Sequence, residues 1–212
     1  MPDSLYIYRM THIKNLDFIF KKGLWAMNCA VQDPCFIPIG NSDIISMRQG
    51  YPVRINPPGG VLGDYIPFYF AGHSPMLYNI VTGYNVLKLP QDKIVFIACD
   101  VNRFVSGSFE WCFTDGHAKK AITKFYNSLD DLSQLDWNAI NSTWWRADEN
   151  DMDRPRKKMS EFLVREHIPA DYIEQIYVRS ANSLATVSQM VYDNNLNIPV
   201  HIDTKFELFY NL

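Results

Sequence analysis

The sequence predicts one α+β domain, on three grounds. Runs rich in β-branched and aromatic residues recur at 5–10, 65–70, 93–99, 109–114 and 161–164, with stretches of helical spacing between them. A length of 212 residues suits a single core. A chain that is 47% hydrophobic and 20% charged is ordinary for a globular protein and leaves no case for disorder. With no internal repeat or low-complexity tract, residues 1–212 read as one domain carrying one long insertion.

Leu5-Tyr6-Ile7-Tyr8-Arg9-Met10 alternates apolar side chains with rings or charge and predicts an opening strand. Residues 15–23 predict a short helix, with Asn15 to cap it, Lys21 and Lys22 in its last turn and Gly23 to stop it. Residues 28–60 differ in character. Pro34, Pro38, Pro52, Pro57 and Pro58 break them up, only 42–49 carries weak helical spacing, and they end in Pro57-Pro58-Gly59-Gly60. A stretch this long without strong periodicity predicts a functional loop or lid. A strand follows at 65–70, where Pro67 argues for an edge position or a bulge. Ser74-Pro75 is a helix start, a cap residue followed by proline at the first helical position. Residues 93–99 predict a buried strand and 109–114 another. The spacing of Ala118, Ala121, Ile122, Phe125 and Leu129 predicts a helix over 117–129, and a second helix is expected at 136–145, ending in Trp144-Trp145. An acidic block (Asp148, Glu149, Asp151, Asp153) and a basic one (Arg154-Pro155-Arg156-Lys157-Lys158) come next. Strands at 161–164 and 176–178, a helix at 183–192 and a final strand near 205–209 complete the alternation.

Composition narrows the function. The longest apolar run, at 94–99, is far short of the ~20 residues that span a bilayer, and Met1-Pro2-Asp3-Ser4-Leu5-Tyr6 has neither a basic nor an apolar leader region, so neither a membrane partner nor a secretory signal is expected. Lys+Arg 20 against Asp+Glu 23 gives a net charge of −3, so a polyanion would need a local basic patch. Aromatics at 14% can fill a core and still leave rings for a planar ligand. Cys29, Cys35, Cys99 and Cys112 form no C-x-x-C pair and have no His cluster beside them. No metal site is expected; each reads as a small buried apolar residue, and free thiols suit a reducing cytoplasm. G-x-S-x-G, G-x-x-x-x-G-K-[ST] and H-E-x-x-H are all missing. Gly59-Gly60-Val61-Leu62-Gly63 follows a Pro-Pro turn, so it reads as a loop more readily than as a phosphate cradle.

Two features carry chemistry of their own. Arg9-Met10-Thr11-His12 gathers donors at the end of the first strand, where open sheets often hold ligands. Glu161 opens an apolar strand after five residues containing four of the chain's cations, a setting for perturbed acidity or for a plain ion pair.

Four motifs in order then carry a resemblance that spans essentially the whole chain. They are Tyr8-Arg9-Met10-Thr11-His12-Ile13-Lys14-Asn15-Leu16; Pro57-Pro58-Gly59-Gly60-Val61-Leu62-Gly63-Asp64-Tyr65-Ile66-Pro67-Phe68-Tyr69-Phe70 with Ser74-Pro75-Met76-Leu77-Tyr78; Phe113-Thr114-Asp115-Gly116-His117; and Lys157-Lys158-Met159-Ser160-Glu161-Phe162-Leu163-Val164. Together they resemble the DarT toxins, the DNA ADP-ribosyltransferases of bacterial toxin–antitoxin pairs. The resemblance implies an ADP-ribosyltransferase fold, a split and bent β core with NAD in its cleft. It implies transfer of ADP-ribose from NAD to a base of single-stranded DNA, most simply thymidine at N3, with release of nicotinamide, and a DarG-like macrodomain antitoxin that reverses the mark. Guanine, RNA or protein as acceptor, or an inactive NAD-binding module, are the rival readings.

Carried onto this sequence, the resemblance makes Glu161 catalytic together with an arginine before the Pro-Pro-Gly-Gly turn, for which Arg48 is the best match and Arg54 a rival. It sets NAD against Arg9, Met10 and Thr11, with Phe18, Ala26 and Arg48 in the pocket and residues of about 31–50 folded over it. Tyr69 either stacks on nicotinamide or belongs to the core. DNA falls to about 117–161, through His117, Lys119, Lys120, Lys124, Arg154, Arg156, Lys157 and Lys158, with Trp144 and Trp145 as stacking rings or core residues. In such a transfer a carboxylate near the ribose steadies positive charge that develops as the nicotinamide bond breaks. An arginine is a poor base, but it can steady an anionic base or a pyrophosphate.

Overall fold

The computed structural model describes residues 4–212; Met1, Pro2 and Asp3, which begin the stretch read above for a leader, lie outside the described residues. In chain order the elements are β1 (Tyr6–His12), α1 (Leu16–Lys22), β2 (Leu24–Trp25), α2 (Ser42–Arg48), β3 (Tyr65–Tyr69), α3 (Pro75–Thr82), β4 (Ile94–Asp100), α4 (Val101–Ser106), β5 (Trp111–Thr114), β6 (Phe125–Tyr126), α5 (Trp137–Asn141), α6 (Arg154–Lys158), β7 (Glu161–Arg165), β8 (His167–Ile168), β9 (Gln175–Val178), α7 (Ala181–Asp193) and β10 (Val200–Ile202). Eight strands form a mixed sheet in the order β10-β9-β4-β1-β3-β7-β5-β6, and β2 pairs with β8 apart from it.

The join between β1 and β3 sets the shape of the molecule. β1 runs antiparallel to β4 over seven residue pairs and β3 to β7 over five, but β1 and β3 meet in register only at Tyr8 and Tyr69. The sheet therefore splits at its centre, as the resemblance implied. Pro67 sits beside this split. β3 is a central strand by order, which corrects the expected edge or bulge, yet proline is tolerated because no regular ladder faces it from β1. Its carbonyl takes the guanidinium of Arg9 at 3.0 Å instead.

Below the sheet a core of Ile7, Phe68, Val95, Ile97, Phe104, Phe113 and Phe162 is closed to solvent, and α1 and α7 pack over it. A second cluster holds Met10, Leu77, Ile80, Phe96 and Phe209 together beneath α3. α3 starts as expected, with the Ser74 hydroxyl accepting the Leu77 N–H, and ends at Gly83 in the left-handed region.

Several local expectations fail for identifiable reasons. Asn15 precedes α1 but gives it no side-chain cap; its amide bonds Thr11 Oγ1 and the Ile37 carbonyl and accepts the Ile37 N–H, so it fastens the 31–40 segment to the end of β1. Residues 117–129 hold no α-helix. The Asp115 carboxylate accepts the Lys124 N–H and the Thr123 hydroxyl donates to the His117 carbonyl, folding a turn that leads into β6. The helix expected over 136–145 is only α5, capped by Asp136, and leaves Trp144 and Trp145 outside it. The basic block forms the short helix α6. Residues 205–209 are not a strand: the Asp203 carboxylate accepts the N–H groups of Glu207, Leu208 and Phe209 and curls the chain, and the last strand is β10. Of the cysteines, Cys99 and Cys112 are buried, Cys29 is half-buried and Cys35 is exposed; all four are free thiols.

Candidate active site

The split in the sheet opens into a cavity of about 570 Å³. Arg9, Met10 and Thr11 of β1 form one wall, Tyr65, Pro67 and Tyr69 of β3 another, and Arg48, His117 and Glu161 meet within it. Phe18 of α1 and Ala26 beyond β2 also line it. Across the mouth, Val31, Phe36 and Ile44 leave a third to a half of their surface exposed. Such an apolar rim over a few converging polar groups is what a planar, charged ligand needs.

Glu161 is only 1% exposed, although it carries a carboxylate. Its position follows from β-sheet register, because as the first residue of β7 it lies opposite Tyr69. Thr114 Oγ1 holds its N–H at 3.0 Å. Glu161 Oε1 accepts the Ala118 N–H at 2.9 Å and Arg48 Nη1 at 3.1 Å, and lies 3.5 Å from His117 Nδ1. Oε2 stands 2.8 Å from Arg48 Nη2, but neither of these two atoms completes an aligned hydrogen bond. A buried ion pair thus stands at the wall of a ligand-sized cavity. Burial alone would push the Glu161 carboxyl up; the Arg48 guanidinium, and His117 after it, hold it down at about 2. For Arg48 burial works against the charge, and Glu161 overrides it and keeps the guanidinium above its ordinary value. Burial, then the neighbouring Arg48, lowers Arg9 to about 10. Burial and the Glu161 charge also raise the Tyr69 phenol.

Arg48 reaches Glu161 from the last turn of α2, whose start is fixed by the Asn41 side chain accepting the N–H groups of Asp43 and Ile44. The glycine-rich turn supports this arm. A Cβ on Gly63 would come within 2.6 Å of the Gln49 carbonyl and 2.7 Å of the Asn28 amide, so only glycine lets these strands of chain cross. Arg54, the rival, is exposed and turned away, bonding the Ala121 carbonyl and the Tyr51 hydroxyl. With Lys119 against the Met47 sulfur, it ties the lid segment to the 117–124 turn.

The basic block behaves otherwise than its sequence suggests. Arg154 is paired with Asp148, Arg156 with Asp115 and Asp153, and Lys157 with Asp136 and Asp151. Lys158 is 4% exposed and donates to the Ile140 carbonyl at 2.6 Å. None of the four offers a free cation to DNA. Asp148, Asp151 and Asp153 of the acidic block, with Asp115 and Asp136, neutralise three of the four. His117 does face the cavity, and Lys119, Lys120 and Lys124 have no carboxylate partner among the described residues.

Burial lowers Lys158 to about 8, below its ordinary 10.5. The unfolded chain therefore binds more protons between those values, and wild-type stability should rise with pH across that window. Lys158→Met is expected to stabilise the fold at pH 7, with a gain that shrinks as pH climbs from 8 toward 10.5. Melting temperatures of both proteins at pH 7 and pH 10 check this.

Sequence reasoning missed Ala118 and Asn15 as site components. Ala118 contributes a backbone N–H, which no side-chain pattern reveals, and the polar signal of Asn15 fits a helix cap equally well. Among the described residues no cluster of His, Cys, Asp or Glu is suited to a metal, and no helix is long and apolar enough to cross a membrane.

A family model described as ssDNA thymidine ADP-ribosyltransferase, DarT, matches residues 8–210. The chain belongs to the DarT family. It is similar to a DNA ADP-ribosyl transferase of Escherichia coli O127:H6, 33% identical over 201 residues, covering 94% of this chain and 92% of that protein. The solved structure of Thermus sp. 2.9 DarT in complex with ADP-ribosylated ssDNA superposes with a TM-score of 0.89 at 31% identity, covering 99% of this chain and 98% of that one; the same protein is also known in complex with NAD+. A DNA ADP-ribosyl transferase–DNA ADP-ribosyl glycohydrolase fusion protein of Thermosipho africanus is 24% identical over 214 residues, which cover 97% of this chain and 50% of that protein.

Proposed function

We propose that this chain transfers ADP-ribose from NAD to thymidine N3 in single-stranded DNA, with release of nicotinamide, as the toxin of a pair whose partner is a DarG-like macrodomain antitoxin. Its family membership supports the reaction class, and one observation carries the mechanism: a buried carboxylate and a guanidinium, held together as an ion pair, share the floor of the cavity. NAD supplies a ribose carbon that becomes electrophilic as the bond to nicotinamide breaks and its electron pair leaves with nicotinamide. Glu161, ionised throughout the working pH range, favours the positive charge that develops on the sugar more than it favours the ground state. A carboxylate held at about 2 is a poor base, so its role is electrostatic, and the N3 proton passes to water as N3 bonds to the ribose carbon and nicotinamide leaves. Arg48 fixes that carboxylate and steadies the anionic character of the acceptor ring by fork-like donation. Arg9, Met10, Thr11, Phe18, Ala26 and Tyr69 hold the cofactor, and residues of about 31–50 cover it.

Thymine N3 lies on the Watson–Crick edge, so the acceptor has to be unpaired. Mass spectrometry of short oligonucleotides, each lacking one base, after incubation with NAD tests the assignment. One added ADP-ribosyl group only where thymidine is present is the expected result. Modification that follows guanine, or that occurs on RNA or protein instead, would replace it with a rival acceptor. Free thiols, two of them buried, and the location of DNA and NAD support action in the cytoplasm.

Attraction to phosphate now rests on Lys119, Lys120 and Lys124 in place of the paired block. Removing Lys120 or Lys124 should flatten the plot of log kcat/KM for DNA against log salt by about 0.7 per charge, the value for a single strand. Arg154→Ala should leave that slope unchanged. A slope flattened by Arg154→Ala and left at the wild-type value by the two lysine variants would return the electrostatic role to the basic block.

A further inference from the structure

We propose that Trp144, Arg146 and Tyr78 form a subsite for an unpaired base and its phosphate next to the acceptor nucleotide, an inference that rests on single-stranded DNA being the acceptor. Trp144 is 57% exposed, which is unusual for the largest apolar side chain on a chain with so full a core. The Arg146 guanidinium carbon lies 5.6 Å from the Trp144 ring centre, 5.8 Å from Tyr78 and 6.0 Å from Trp145. Its Nη2 donates to the Tyr78 hydroxyl at 3.4 Å. Arg146 is exposed and, among the described residues, has no carboxylate partner, whereas Arg154, Arg156 and Lys157 further along the same connection are each neutralised. Charge and rings thus coincide at Arg146, a cation of the connection that no carboxylate among the described residues neutralises.

The cluster is held in advance of any ligand. Ser142 Oγ accepts the Trp144 N–H at 3.1 Å and donates to the Trp144 carbonyl at 2.7 Å. Trp145 Nε1 donates to the Tyr210 hydroxyl at 2.8 Å, and the Trp145 and Tyr78 rings meet edge to face at 5.6 Å. Arg154 bonds the Arg146 carbonyl and so ties this turn to α6, which leads directly to Glu161. Tyr78 lies on α3, the helix whose Met76 and Asn79 line the cavity, so the cluster is carried by an element that bounds the reaction site. An exposed ring beside a fixed guanidinium is the arrangement that stacks a base of any identity and pairs with its phosphate.

The test uses ten-nucleotide single strands carrying one thymidine, with an abasic site stepped through the neighbouring positions. For the wild type, kcat/KM should fall about tenfold or more when one particular neighbour is abasic. Trp144→Ala should lose a similar factor on the intact strand and then be indifferent to that abasic site, while its NAD affinity and melting temperature stay at wild-type values. Trp144→Phe should restore most of the loss, and Arg146→Ala should lower both kcat/KM and the salt slope. Equal sensitivity of the wild type and Trp144→Ala to every abasic position overturns the subsite, as does an effect of Trp144→Ala confined to binding of the macrodomain antitoxin. A wild type that modifies no DNA strand would instead bring down the choice of acceptor, and the subsite with it.

Discussion

Glu161→Gln is expected to slow transfer of ADP-ribose by about 10²–10³ while leaving NAD affinity within a few-fold of wild type, the usual effect of removing one preorganised charge from a reacting centre. The amide has the same shape and can still accept the Ala118 N–H that the carboxylate takes at 2.9 Å. What it lacks is the full negative charge, in a site where only 1% of the residue meets water and electrostatic interactions are correspondingly stronger. Initial rates of nicotinamide release and of oligonucleotide modification, with NAD titrations beside them, measure the split. Transfer within tenfold of wild type would remove Glu161 from the mechanism. The pH dependence follows from the same pair. With the folded carboxyl at about 2 against an ordinary 4.5, the stabilisation from its ionised form is complete above pH 4.5 and is lost as pH falls toward 2. The wild-type rate should therefore show no acid limb from Glu161 in the neutral range.

Much of this site was legible because it follows from local rules. The alternation in β1, the Ser74-Pro75 helix start and the apolar run opening at Glu161 each fix an element by themselves, and the motif order placed Glu161 and Arg9 in one cleft. The choice between Arg48 and Arg54 was not legible. Both precede the glycine-rich turn, and only the path of α2 across that turn turns one guanidinium inward and the other out to Ala121.

The failures share a cause, which is that side chains distant in sequence, or acting on the backbone, override local periodicity. Ala118 satisfies a helical pattern, but its N–H is committed to Glu161, 43 residues away, and Ile122 from the same pattern ends 69% exposed. Charge density misled in the same way. Arg154, Arg156, Lys157 and Lys158 look like a phosphate patch, yet the acidic residues just before them, with Asp115 and Asp136, fold back and pair with three of them. Arg146 lies outside that dense block, where charge density gives no signal, and keeps its charge free of any carboxylate among the described residues.

Arg48→Met should abolish transfer to a similar degree and should also weaken the fold. Removing the guanidinium leaves a carboxylate 1% exposed with the Ala118 N–H and His117 as its remaining polar neighbours, and breaking a buried pair in this way commonly costs about 3–5 kcal/mol. Burial is then no longer opposed by Arg48, so the Glu161 carboxyl rises. Any residual activity should gain an acid limb that the wild type lacks, and the instability should be worst at high pH, where the lone carboxylate stays charged. Arg48→Lys separates charge from shape. A lysine keeps the pair ionic, but it has no planar fork to span Oε1 and Oε2, which Arg48 reaches at 3.1 and 2.8 Å. Near-normal stability with a large loss of kcat is the outcome expected for that variant, and full activity would show that charge alone suffices. The double variant Arg48→Met/Glu161→Gln distinguishes a lost pair from two independent defects. It should melt above Arg48→Met, because the stranded charge is gone, and a melting temperature equal to the sum of the two single losses would mean that the two side chains do not act as one unit.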